Sequence, residues 1–240
     1  MSRTTLPPTT DNELGAATCS VQPREITESA FRALYAAGAD PAEAHEGALA
    51  VLRAEVQSAD GLALLEQLLA PDWAQPARAS ATRSTAWAGI TVHELDAPEQ
   101  PALRSAIQLI DLAVSRPAEE VRVSRTTVAG IPQGLWTDLL LRRSAAQQRT
   151  IIVAISKKTG TEYFSVHNDA VITAGEPPSD AIAASLLPRS EGDNTVVVIL
   201  PGTPELAHLD ARICQRPLKV NEQKWLRMYQ LSRNYLMADQ

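Results

Sequence analysis

The chain has 240 residues, 45% of them hydrophobic and 21% charged, which is enough apolar material for a sizeable core and excludes a disordered protein. Its formal charge is −6 and its pI about 5.3. An acidic chain without a basic block is excluded as a nucleic-acid binder, because phosphate neutralisation supplies most of that affinity. Aromatic residues make up only 4%, so the core is built from Ala, Leu, Val and Ile. The two cysteines, Cys19 and Cys214, have no CxxC spacing, which argues against a disulfide framework and against a zinc site. No apolar run reaches the roughly 20 residues of a membrane span. The first residues carry no apolar signal core, so a cytoplasmic protein with no membrane partner is expected.

Residues 1–23 are rich in Thr, Pro, Ser and Asn without periodicity and read as a disordered tail. Residues 24–240 are expected to form one α+β domain with a helical N-terminal segment over 26–70. Ile26, Ala30, Phe31, Leu34 and Tyr35 share one helix face, and Gly38 supplies the stop. Asp40-Pro41-Ala42-Glu43 is a helix start. Asp40 can cap free amides, Pro41 loses no bond at the first helical position, and Glu43 closes a capping box. Ala44, Ala48, Val51, Leu52 and Val56 form the buried stripe, Asp60-Gly61 interrupts it, and Leu62 to Leu69 resume it until Pro71.

A strand is predicted over Thr85–Val92, then a helix with Leu103, Ile107, Ile110 and Val114 inward, then a strand over Val121–Arg125. The next helix, Pro132 to about Gln147, points Leu135, Trp136, Leu139 and Leu140 inward. Its Arg142 and Arg143 suit the negative end of the helix dipole. Thr150–Ile155 reads as an apolar strand joined by Lys157-Lys158-Thr159-Gly160 to a strand over Glu162–Asn168, with a short strand at Ala170–Thr173. A helix over Asp180–Leu187, a strong strand over Asn194–Leu200, a strand over Ala211–Gln215 and a terminal helix over Asn221–Met237 complete the chain. Helices lead and hairpin-linked strands follow. The expected fold class is therefore α+β, a helical N-terminal segment packed on a mixed or mainly antiparallel sheet with flanking helices.

The helical first third resembles the N-terminal segment of the type II malate/L-lactate dehydrogenases. The match runs over Ile26 to Gly38, Pro41 to Ala44, Ala54 to Gly61 and Leu62 to Leu65. The resemblance implies a non-Rossmann fold and a nicotinamide cofactor, NAD or NADP; the residues themselves leave the cofactor unknown. The family places its catalytic His in an Asp-Ser-His-Gly loop, whereas here Asp60 is followed directly by Gly61. The rest of the chain, with TVVVIL and Trp225-x-x-Met228-Tyr229, resembles a shorter bacterial family known as a domain of unknown function.

Hydride transfer from a hydroxy acid needs a base on the hydroxyl, so the missing His implies a relocated acid/base group or a lost reaction. The candidates are His167 with Asp169, which alternate with Ser165 along one strand, and His45, the one histidine within the resembling segment. Ser165, His167 and Asp169 lack the geometry of a nucleophilic triad on a single strand, and no GxSxG elbow is present. Lys158-Thr159-Gly160 has no SxxK companion, His93-Glu94-x-Asp96 has no second metal-ligating cluster, and no glycine-rich phosphate loop occurs. The loop Pro201 to Glu205 follows the strongest strand and is a further place for binding groups.

Three functions follow as expectations. One is an oxidoreductase-like enzyme acting on a small carboxylate with a relocated acid/base group. Another is a non-catalytic partner subunit, a degenerate paralogue of a full-length enzyme. The last is a small-molecule binding module. A homo-oligomer or a partner enzyme subunit is the expected partner.

Overall fold

The structure is a computed structural model that describes residues 17–70, 73, 81–87, 90–96, 100–114, 122–126, 130–147, 150–157, 160–167, 170–174, 194–200 and 217–237. It is α+β, as expected. The first described element is not part of a tail. Thr18–Val21 forms β1, which pairs antiparallel with β9, Leu218–Asn221. The polar composition up to Pro23 conceals this strand, because its partner lies at the far end of the chain and supplies the backbone hydrogen bonds.

Helix α1 spans Pro23–Ala37 and ends at Gly38, whose φ of 115° is left-handed. Any side chain there would also press on Trp73, since a Cβ would sit 3.1 Å from its carbonyl oxygen. Helix α2, Pro41–Ser58, starts as its sequence dictates. Asp40 Oδ1 accepts from the Ala42 and Glu43 amides at 2.8 Å each, and Glu43 Oε2 accepts from the Asp40 amide at 3.1 Å. Ala44, Ala48, Val51 and Leu52 are buried along it. Helix α3, Gly61–Leu69, follows after a two-residue break.

The main sheet has seven strands in the order β2-β3-β4-β8-β5-β6-β7. These are Ala81–Trp87, Ile90–Asp96, Arg122–Thr126, Asn194–Leu200, Thr150–Lys157, Gly160–His167 and Ala170–Ala174. All neighbours are antiparallel except β3 and β4. The single strand expected over Thr85–Val92 is instead the end of β2 and the start of β3, a hairpin in which Trp87 faces Ile90. The sequence pattern gives no polar interruption between the two strands, so it conceals the reversal. Strand β8 sits at the centre of the sheet, where a continuous apolar run such as TVVVIL belongs.

Helix α4, Ala102–Val114, lies over β3, β4 and β8, and α5, Gln133–Gln147, lies over β5, β6 and β7. Both reach α2, and α1 packs on α2. Leu103, Leu109 and Ile110 of α4 and Leu135, Trp136, Leu139 and Leu140 of α5 are fully buried between the sheet and this second helical layer. The terminal helix α6 is Glu222–Ser232, shorter than the expected Asn221–Met237, because Arg233–Met237 tightens into a 3-10 turn. It rests on α1 and α3. Among the described residues no helix is long and apolar enough to cross a membrane. The expected helix over Asp180–Leu187, the strand over Ala211–Gln215 and the loop Pro201 to Glu205 lie outside the described residues.

Candidate functional site

The break between α2 and α3 is held from several sides. Ala59 takes a left-handed conformation (φ 56°, ψ 31°) to close α2, its amide donating to Glu55 O at 3.1 Å and the Asp60 amide to Ala54 O at 3.3 Å. Ala59 is the one non-glycine residue with positive φ among the described residues. Lys224 Nζ of α6 donates to Ala59 O at 3.1 Å. The Gly61 amide donates to Glu55 Oε2 at 3.0 Å. A Cβ on Gly61 would stand 2.8 Å from Glu55 Cβ and 2.9 Å from Val51 O, so only glycine fits without displacement.

This hinge forms one wall of a cleft of about 500 Å³. The wall comprises Ala54, Gln57 and Ser58 at the end of α2, then Asp60, and Ala63, Leu64 and Gln67 of α3; Pro132, Gln133, Gly134 and Thr137 at the start of α5 face it. Gly134 permits the approach, since a Cβ there would already touch Leu64 Cδ2 at 3.3 Å. The cleft offers three amides, two hydroxyls and one carboxylate. Ser58 Oγ and Thr137 Oγ1 donate backwards to Ala54 O and Gln133 O at 3.0 and 3.2 Å, which leaves their lone pairs to accept. Among the described residues of the lining, Asp60 is the sole titratable one and none is basic.

Behind the cleft runs a ladder of charges between α2 and α5. Arg53 Nε donates to Asp138 Oδ1 at 2.7 Å and Arg142 Nε to Asp138 Oδ2 at 2.7 Å. Arg142 also approaches Glu46 to 2.6 Å as an ion pair, and Arg143 stands 3.8 Å from Glu46 and 3.5 Å from Asp111 of α4. Arg142 and Arg143 therefore pair with side chains of neighbouring helices and with Asp138, more than with the dipole the sequence pointed to. Burial pushes the Glu46 carboxyl up, but its contact with Arg142 and the charges of Arg142, Arg143 and His45 outweigh this and hold it below its ordinary value.

A separate buried pair joins α2 to α4. Arg104 Nε and a terminal nitrogen meet the two Glu43 oxygens at 2.5 and 2.9 Å, and the guanidinium lies 5.5 Å from the centre of the Trp73 ring. The bond to Glu43 raises the Arg104 pKa above its ordinary value, against the opposing effect of burial.

None of the histidines expected as an acid/base group lines this cleft. His45 is exposed on α2. His167 ends β6 opposite Ala170 of β7, with Ser165 opposite Ile172, and Asp169 lies outside the described residues. His93 is buried on β3, its Nδ1 3.1 Å from Ser84 Oγ. No group of three metal-ligating side chains occurs among the described residues. Sequence reasoning missed the cleft residues Gln57, Gln67, Gln133 and Thr137 and the ladder behind them. The available signals were Glu46 and Arg53 seven residues apart on one helix face, and Asp138 and Arg142 four apart on another.

No protein-family model and no curated protein sequence matches the chain. Solved structures do match in shape. A dehydrogenase from Sinorhizobium meliloti superposes with a TM-score of 0.58 at 11% identity, covering 90% of this chain and 99% of that one. Malate dehydrogenase from Entamoeba histolytica gives 0.57 at 10% identity, over 92% of this chain and 99% of the other. Malate dehydrogenase from Pyrococcus horikoshii OT3 gives 0.51 at 9% identity and 92% of both chains. At such identities the likeness is one of fold, and it is consistent with the resemblance read from the helical first third.

Proposed function

We propose that this chain binds a small polar metabolite of the carboxylate class in the cleft between the α2–α3 hinge and the start of α5. The observation that carries this reading is a coincidence of position. Asp60, which stands where the resembling dehydrogenases lead into Ser-His, is part of the cleft wall, and the described lining offers amide and hydroxyl groups without an imidazole. Amide N–H groups of Gln57, Gln67 and Gln133 can donate to a carboxylate, and the cleft volume suits a small metabolite.

A second reading is an oxidoreductase acting on a small carboxylate, and the shared fold favours it. The hydroxyl proton would then pass to the Asp60 carboxylate, the one titratable group among the described residues of the lining. A nicotinamide cofactor would supply the hydride acceptor. The described residues of the cleft include no basic side chain to pair with a pyrophosphate, so they fit the small substrate and not the dinucleotide.

Calorimetric titration and cofactor absorbance with malate and lactate, with and without NAD+ or NADP+, and with oxaloacetate and pyruvate, with and without NADH or NADPH, test both readings. Binding that Gln133→Ala and Thr137→Val abolish, with no change in NADH absorbance, supports the binding protein. Cofactor consumption that Asp60→Asn abolishes supports the enzyme. Neither binding nor turnover overturns both.

A further inference from the structure

Helix α6 buries Met228 and Ser232 against its own chain and leaves another face bare. On that face Glu222, Leu226, Tyr229 and Arg233 are all exposed, Leu226 at 51% and Tyr229 at 49%. Their steps of four, three and four residues place them on a single stripe. Tyr229 is braced by Trp225, with ring centres 6.2 Å apart. On the adjoining α1, Tyr35 is 41% exposed and lies between Phe31 and Tyr235, at 6.0 and 5.7 Å. Two large apolar side chains are thus held out to water on a rigid helix.

The charges that flank them decide what covers the stripe. Neither Glu222 nor Arg233 has an ion-pair partner among the described residues. In chain order the stripe reads acid, apolar, apolar, base, and this pattern is complementary to itself when reversed. We propose that the stripe is the contact between two copies of this chain, their α6 helices crossing antiparallel about a two-fold axis between Leu226 and Tyr229. Each Glu222 then meets Arg233 of the partner subunit, and each Leu226 packs on Tyr229 of the partner subunit. A two-fold contact requires this self-complementarity, whereas docking of an unrelated protein does not. An 11-residue helix is only about 16 Å long, so the contact lies at the small end of specific interfaces and gives a concentration-dependent dimer.

Sedimentation velocity of the full chain from low to high micromolar concentration tests this. Wild type is expected to shift from monomer to dimer across the range. Leu226→Asp is expected to stay monomeric with an unchanged melting curve, since the side chain is exposed. Glu222→Arg and Arg233→Glu are each expected to weaken the dimer by about tenfold or more, because like charges then face across the axis. Mixed together, the two single variants regain both charge pairs, and a heterodimer as tight as the wild-type dimer should form. A wild type that is monomeric throughout overturns the proposal. So does a dimer indifferent to Leu226→Asp, or a mixture of the two charge variants that does not associate.

Discussion

The Arg53 guanidinium and the Asp138 carboxylate meet at 2.7 Å between α2 and α5, one residue behind Ala54 and Thr137 of the cleft. The pair and the cleft therefore share one helix–helix contact. Asp138 is 1% exposed and receives Arg142 as well as Arg53, so its charge is compensated from two sides. Asp138→Asn removes the buried negative charge and one of the two acceptor oxygens between Arg53 and Arg142, and is expected to cost about 3 kcal/mol, within the range for breaking a buried pair. Arg53→Gln leaves Arg142 in place and is expected to cost less, about 1–2 kcal/mol. Urea unfolding of both single variants and the double variant gives the coupling energy, and a double variant no worse than Asp138→Asn alone is the expected result.

The hinge invites a stabilising change beside a destabilising one. Ala59 sits in the left-handed region, where a Cβ is strained by roughly 1–2 kcal/mol and glycine is not. Ala59→Gly relieves this strain, but the extra freedom of glycine in the unfolded chain opposes it by about 0.5–1 kcal/mol, so the expected net gain is about 0.5–1 kcal/mol. Two residues on, Gly61→Ala forces a Cβ against Glu55 and the Val51 carbonyl and is expected to lose about 2 kcal/mol. Melting curves of the two variants should move in opposite directions.

Much of this architecture is visible before any coordinates. The capping box at Asp40 and Glu43, the αL stop at Gly38 and the break at Asp60-Gly61 are local, and local chemistry fixes them. The central place of β8 follows from an apolar run that suits burial on both faces. What the sequence concealed is pairing across distance. Thr18–Val21 is a strand only because Leu218–Asn221 lies beside it, and Arg53 finds Asp138 across 85 positions. The cleft is hidden for the same reason. Its two walls come from separate helices, and amides and hydroxyls carry no pattern comparable to a spaced set of histidines.

Glu46 provides a pH test of the ladder. Its carboxyl titrates below the ordinary 4.5 in the folded protein, so the unfolded chain takes up the proton first as pH falls. The stabilisation is fully present above about pH 4.5 and is lost as pH drops through the lowered folded value. Glu46→Gln removes this contribution. Its melting temperature is expected to lie below wild type at neutral pH and to converge with it in acid, a comparison that thermal unfolding from pH 7 to pH 3 makes directly.

The Glu43–Arg104 pair should show how far geometry, beyond charge, holds α2 to α4. Both Glu43 oxygens accept from one guanidinium, and Oε2 also caps the Asp40 amide, so this single side chain starts a helix and docks it. Arg104 is 8% exposed, and its guanidinium lies over the Trp73 ring, whose indole N–H donates to Leu68 O at 2.9 Å. Arg104→Lys keeps the charge but can satisfy only one carboxylate oxygen well and loses the guanidinium over the indole ring. It is expected to cost about 2 kcal/mol, while Glu43→Gln, which strands a buried cation and weakens the cap, is expected to cost about 3 kcal/mol or more. Were charge alone responsible, Arg104→Lys would be close to neutral in chemical denaturation. A clear loss, smaller than that of Glu43→Gln, with quenched or shifted Trp73 fluorescence on removal of the guanidinium, is the outcome the bidentate contact and the cation over the indole require.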